Sequence, residues 1–156
     1  MIVGSISENL DLEKRVAVTP DVVKKYKSLG LDIHLSKNYA AHLGISDDRY
    51  ASEGAVIVNT DKEIITRADA ILQMNIISDE NLNLITSKKI LIGVLNSYEN
   101  EKKLKDISSK NCNCFSLELL PRITRAQSMD ILSSQANLAG YKAVVDSFAF
   151  FQKAIP

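Results

Sequence analysis

Residues Leu120 to Tyr141 read LPRITRAQSMDILSSQANLAGY, and they gather two arginines, two glutamines, one aspartate and three serines beside apolar neighbours. Arg122 and Arg125 lie three apart, as do Gln127 and Asp130, with Ser133 another three on. A helical or turn backbone draws side chains at this spacing together. Such a set could bind a polar ligand. The plain alternative is a helix N-terminus capped by Asp130 or Ser128. Capping accounts for one or two of these groups, and it leaves Arg122, Gln127 and Ser133 together without a purpose.

A second candidate is Glu13-Lys-Arg15-Val-Ala-Val-Thr-Pro20, which puts one arginine ahead of an apolar run and a capped helix. This is a strand-end loop of the kind where α/β proteins bind ligands; a surface arginine is the competing explanation. Other chemistries find no support. The six glycines form neither G-x-G-x-x-G nor a Walker loop, so no phosphate-cradling turn can be drawn. His34 and His42 lie in no local signature of a nucleophile-base pair and read as surface or helix-edge residues. Cys112 and Cys114 are spaced poorly for a disulfide and lack the further ligands of a metal site, so they read as reduced structural thiols, with no metal expected.

The elements that must position these residues alternate. Ile2 to Ser5, Leu31 to Leu35, Ala55 to Val58, Ala70 to Met74, Ile90 to Val94 and Cys112 to Ser116 are short β-branched runs that predict strands. Helical stretches separate them, which implies a mostly parallel, Rossmann-like (flavodoxin-like) α/β sheet with helices on both faces. Thr19-Pro20 to Gly30 carries an N-cap, a proline at the first helical position and a terminating glycine. Ser46, Thr60 and Ser78 start further helices, and Glu99 to Lys110 another. A long C-terminal helix is predicted from about Asp130 to Lys153, with Ser133, Ala136, Gly140, Ala143 and Ser147 as a stripe of small residues that something should pack against. The apolar ending from Phe150 to Pro156 reads as a truncation.

At 156 residues the chain suits one domain with a real core. Its 19 basic and 19 acidic side chains cancel, which removes the electrostatic footprint of a nucleic-acid partner or an anionic membrane surface. No apolar run approaches the roughly 18 residues of a membrane span, and Met1 to Ser5 lacks a secretory signature, so a cytoplasmic chain is expected.

The stretch PRITRAQSMDILSSQANLAGYKAV closely resembles the signature of the N-terminal NAD(H)-binding component of proton-translocating NAD(P) transhydrogenase. EKRVAVTPDVVKKYKSLGLDI resembles the E-x-R-V-A-x-T-P opening shared by transhydrogenase and alanine dehydrogenase. The resemblance spans about Met1 to Phe151. It implies a domain of the alanine dehydrogenase and transhydrogenase N-terminal type, an α/β subdomain of about residues 1–130 followed by a linking helix of about 130–153. It also implies a second, glycine-rich NAD-binding subdomain that this chain does not contain, so that the chain alone should be inactive. The implied activity is hydride transfer from NADH to NADP+ on a separate NADP(H)-binding domain, coupled to proton movement through a membrane domain, with no metal. The implied parent is a homodimer peripheral to the inner membrane.

By motif position the resemblance makes Arg122 and Ser133 anchors of the nicotinamide. It gives Gln127 and Asp130 the hydride-transfer end, Gln127 reaching toward the partner's NADP(H) and Asp130 orienting Gln127. Alanine dehydrogenase is the rival, in which Arg15 would bind the pyruvate carboxylate. That enzyme has a lysine after its fourth strand and a histidine after its fifth, where this chain has Asn75 and Asn96. Reductive amination loses its chemical basis without them. Two departures from the transhydrogenase pattern are Lys37 to Ala41 in place of a glycine-rich turn, and Leu72-Gln-Met-Asn75. A non-catalytic assembly module, docking through the small-residue stripe, is the alternative from another class.

Overall fold

The six β-branched runs become strands β1 (Ile2–Ser5), β2 (Asp32–Ser36), β3 (Val56–Val58), β4 (Ala70–Gln73), β5 (Ile90–Gly93) and β6 (Asn113–Ser116). The computed structural model describes Met1 to Lys153; the last three residues of the apolar ending lie outside the described residues. Two compact units are distinguished, Met1–Ser116 and the chain from Leu117 onward.

In the first unit the strands form one parallel sheet, in the order β3-β2-β1-β4-β5-β6. Of the two common doubly wound orders this is 3-2-1-4-5-6; the flavodoxin order would seat β3 beside β1. Helix α3 (Asp61–Arg67), packed on β1 and β2, carries the chain back from β3 to the free side of β1. The switch point therefore lies between β1 and β4.

Alternation along each strand divides the core between the two faces. Val3, Ile33, Leu35 and Ala70 pack with Val23 of α1 (Pro20–Ser28) and Tyr50 of α2 (Asp47–Ser52). Ile71 and Leu91 pack with Ile64 and Ile65 of α3, Leu82 of α4 (Asp79–Asn83) and Ile107 of α5 (Glu101–Ser109). Each fully buried isoleucine or leucine contributes about 1.5–3 kcal/mol of transfer free energy. Both faces are covered by helices, which is why the strands read as near-continuous apolar runs rather than alternating ones.

Local signals fix the helix ends. The hydroxyls of Ser46, Thr60 and Ser78 accept from the amides of Arg49, Glu63 and Asn81. Thr19 precedes α1 with Pro20 at its first position, although its side chain makes no cap bond. In the Lys37 to Ala41 turn, Asn38 takes the left-handed conformation (φ 60°), and its amide is held by the Asp47 carboxylate at 2.9 and 3.0 Å. Asparagine tolerates that region where most side chains do not, so it stands in for a glycine. At the β4–β5 contact a Cβ on Gly93 would lie 2.4 Å from the Gln73 carbonyl oxygen, so only glycine fits. Cys112 is buried and its thiol points at the Thr86 carbonyl, 2.9 Å away; Cys114 is half-buried, and both are free thiols.

The second unit contains two short 3₁₀ segments, Leu117–Leu119 and Thr124–Met129, followed by α6 (Ile131–Phe150). No residue of α6 is buried, and a Cβ on Gly140 would meet nothing within 4 Å. The close packing expected along the stripe of small residues is thus unfilled among the described residues. No described helix is long and apolar enough to cross a membrane.

Candidate functional site

Two polar clusters stand out, one in each unit. In the second, Ile123 is extended (φ −120°, ψ 158°), and the chain then coils through Thr124–Met129, pinned by the buried Ala126. Asp130 is the N-cap of α6. Its carboxylate accepts the Ser133 amide at 3.0 Å through Oδ1, and the Ser133 hydroxyl donates to Oδ2 at 2.6 Å. The Ser133 hydroxyl and amide hold the Asp130 carboxyl below the usual range, and the Arg122 charge adds to this.

Arg122, Ile123, Thr124, Gln127, Asp130 and Ser133 line one cavity of about 280 Å³. The four residues singled out from sequence are therefore brought together, while Arg125 is exposed and does not line the cavity. Sequence reasoning misses Thr124 and Ile123, although both lie inside the same motif. The Asp130 carboxylate turns to Ser133 rather than to Gln127, because an N-cap side chain folds forward over the first helical turn. Gln127 meets Asp130 only through the backbone, its carbonyl accepting the Asp130 amide at 3.3 Å. The side chains of Arg122, Gln127 and Ser133 are exposed.

The cluster in the first unit sits at the carboxyl ends of β1 and β4. Ser5 Oγ lies 2.7 Å from the Tyr39 hydroxyl, 2.6 Å from the Leu72 carbonyl and 3.1 Å from Gln73 Oε1. Gln73 Oε1 also accepts the Ile6 amide at 2.8 Å, and its Nε2 donates to Glu8 at 3.1 Å. Glu8 in turn accepts the Met74 amide at 2.6 Å. Tyr39 Oη accepts the amides of Ala17 and Val18 at 3.1 and 3.3 Å. Burial pushes the Glu8 carboxyl above the usual range, against the pull of the Met74 and Asn75 amides. No sequence pattern marks this cluster, since isolated polar residues at strand ends resemble ordinary loop residues.

Arg15 stands beside this cluster. The Glu13 carboxylate accepts its Nε at 2.8 Å, its Nη2 at 2.6 Å and its own backbone amide at 2.8 Å. That fork lowers the Glu13 carboxyl and raises Arg15, and a ligand carboxylate would have to compete with it. A cavity of about 240 Å³ at the switch point is lined by Glu8, Gln73 and Asn75, among others. Asn75 thus faces a ligand-sized space without the charge that a lysine would bring. Asn96 is left-handed (φ 48°), and its carbonyl accepts the amides of Glu99 and Asn100. His34 lies on β2, where its Nδ1 has no hydrogen-bond partner among the described residues, and His42 Nε2 meets the Lys14 carbonyl at 2.8 Å. No group of three His, Cys, Asp or Glu that could hold a metal occurs among the described residues.

The family described as "Alanine dehydrogenase/PNT, N-terminal domain" matches residues 4–139. The chain is 36% identical to the first of the separate parts of NAD(P) transhydrogenase subunit alpha in Rickettsia prowazekii, over 100% of this chain and 42% of that protein. It is also 36% identical to the protein of the same name from Rhodospirillum rubrum, over 92% of this chain and 39% of that one. The chain thus spans about two fifths of the length of these two relatives. The crystal structure of transhydrogenase from Sinorhizobium meliloti superposes with a TM-score of 0.91 at 37% identity, over 100% of this chain and 46% of that one. Alanine dehydrogenases are more distant, at 24% for that of Methanococcus maripaludis, over 98% of this chain and 40% of that protein. By sequence and by fold, the chain belongs to the alanine dehydrogenase/PNT N-terminal domain family.

Proposed function

We propose that the chain forms the beginning of the NAD(H)-binding component of an NAD(P) transhydrogenase. In this reading NAD(H), when bound, supplies or receives a hydride, exchanged with NADP(H) on a separate domain and coupled to proton movement through a membrane domain. The chain contributes one wall of the NAD(H) cleft, a glycine-rich subdomain completes it, and the chain alone is inactive. The parent component is a homodimer peripheral to the inner membrane.

The observation that carries this reading is the open cavity lined by Arg122, Gln127, Asp130 and Ser133. Its residues fit the nicotinamide end of a dinucleotide. Arg122 offers only donors, Ser133 and Asp130 offer acceptors, and the exposed Gln127 amide offers both. They do not fit the pyrophosphate, and neither does the β1 end of the first unit. The segment after β1 brings the carboxylates of Glu8 and Glu13 where a phosphate site would need amides and glycines.

The cavity holds no group poised to exchange a proton near neutral pH. The Ser133 hydroxyl and amide favour the carboxylate form of Asp130. This suits a transfer in which the side chains orient and exclude water while no proton moves through them. For alanine dehydrogenase chemistry, Asn75 and Asn96 supply neither the cation nor the proton-transfer group, and Arg15 is already forked by Glu13.

The test is Gln127→Asn in the full-length component, by single-turnover hydride transfer and by NADH binding. The transfer rate should fall by about tenfold or more while the dissociation constant changes less than about threefold. Equal losses in both would reduce Gln127 to a binding residue and remove the reading of its role.

A further inference from the structure

The switch-point cavity of about 240 Å³ lies wholly in the first unit, between the segment after β1 and the one that leads from β4 into α4. Neither Arg15 nor Asn96 lines it. Part of its wall is apolar, made by the buried Ile6 and Ile77 with Leu12. The rest is polar, and its members differ in what they have already bonded. The Gln73 amide is engaged, its oxygen by the Ile6 amide and its nitrogen by Glu8. Asn75 and Asn81 are half-buried, and neither side-chain amide has a hydrogen-bond partner among the described residues. An amide that has lost part of its water without gaining a protein partner is open to a ligand.

Glu8 is the one charged side chain in this lining among the described residues. The Met74 amide at 2.6 Å and Gln73 Nε2 at 3.1 Å both donate to its Oε1, which fixes the carboxylate in the wall. An anion entering the cavity would meet that carboxylate with no lysine or arginine in the lining to offset it. A cation would meet the reverse.

From this lining we infer that the switch-point cavity binds a small organic cation, a short alkyl chain ending in a primary ammonium. An ammonium has three donors and no acceptor. The Glu8 carboxylate and the Oδ1 atoms of Asn75 and Asn81 are the acceptors that receive it, and the alkyl chain lies against Ile6, Ile77 and Leu12. A lysine at position 75 would bring an ammonium of its own to this space; asparagine leaves the acceptors to a ligand. The inference stands apart from the nicotinamide reading, none of whose residues lines this cavity.

The experiment is a ligand-observed NMR titration of the full-length component with n-butylammonium chloride at constant ionic strength. n-Butanol and sodium butyrate serve as the neutral and anionic probes of equal length. It is run on wild type, Glu8→Gln and Asn75→Lys, with thermal melting as a check of the fold. The wild type should bind n-butylammonium with a dissociation constant of about 1–10 mM, as suits so small a ligand, and each of the other probes at least about tenfold more weakly. Both variants should lose at least about tenfold in n-butylammonium affinity, Glu8→Gln by removing the charge and Asn75→Lys by supplying the ammonium internally. Asn75→Lys carries the test if Glu8→Gln fails to fold. Equal binding of the alcohol would overturn the inference and leave an apolar pocket only, and stronger binding of butyrate would overturn it in favour of an anion site. Affinity unchanged in both variants would overturn it by placing the cation elsewhere on the surface, and so would the absence of binding up to about 100 mM.

Discussion

The polar cluster at the ends of β1 and β4 and the one at the start of α6 use the same chemical groups and arrive at opposite states. Around Gln73, hydroxyl, amide and carboxylate bond one another and the backbone, and Ser5 and Gln73 are 1% and 3% exposed. Around Arg122 and Gln127, only the Asp130 and Ser133 pair is bonded internally, and the other side chains stand open to a cavity. A buried cluster whose bonds are made inside the protein contributes to the fold, because leaving any member unpaired is costly. An exposed cluster with unused donors and acceptors is cheap to keep and available to a ligand. Completeness of pairing, more than residue type, separates scaffold from site.

The sharpest way to break this contrast is to remove one hydroxyl from the closed cluster. Tyr39→Phe strips the acceptor shared by the Ala17 and Val18 amides and the partner of Ser5, and it should lower stability by about 3 kcal/mol. A urea midpoint within error of wild type would show that the closed cluster is dispensable. Next in size is Asp130→Ala, which removes the cap of α6 and should loosen the first turn of that helix. It is read as faster amide exchange in the first turn of that helix; unchanged protection of Ser133 would count against the capping bond. The smallest effect belongs to Gln127→Ala, which should shift stability by less than about 0.5 kcal/mol. A larger shift on denaturation would mean that Gln127 belongs to the scaffold.

Acid titration sharpens the contrast within the closed cluster, where two neighbouring carboxylates respond with opposite sign. Glu13, lowered by Arg15, contributes stability that is present above its unfolded pKa and lost as pH falls through its folded value. Glu8, raised by burial, costs stability when ionised, and that cost disappears as pH falls through its folded pKa toward the ordinary carboxylate value. Glu13→Gln should therefore flatten the loss of stability in acid, and Glu8→Gln should steepen it. Stability measured from about pH 7 to about pH 3 on both variants tests the signs, and parallel curves would contradict them.

The sheet was legible in the sequence because a parallel sheet buried on both faces must use β-branched runs, and Ser46, Thr60 and Ser78 marked three helix starts with caps that form. Strand order was less so: β1 sits between β2 and β4, and only the return of α3 over the sheet decides this. Within the candidate site, the grouping of Arg122, Gln127, Asp130 and Ser133 followed from spacing and family resemblance. The pairing within it did not, because a carboxylate between two candidates three residues away on either side is settled by which way the helix begins. Tyr39 and Gln73 were illegible for a different reason. Their partners lie 34 and 68 residues from them in sequence, at Ser5, and no local pattern carries such pairings. In sequence Gln73 stands out only as a departure from the transhydrogenase pattern.

The separation of Ser5 from Leu72 and Gln73 also orders events in time. During synthesis β1, β2 and β3 all emerge before β4, and the face built from Val3, Ile33 and Leu35 with α1 and α2 can start to assemble then. Glu8 and Ser5 cannot find Gln73 or the Met74 amide until more than 60 further residues have been made, and closing so long a loop is a late entropic step. A nascent chain paused after β3 should thus leave the Ile6 amide open to hydrogen exchange, and one paused beyond β5 should protect it through Gln73. The closed cluster is in this sense a clasp, fastened when the second half of the sheet meets the first.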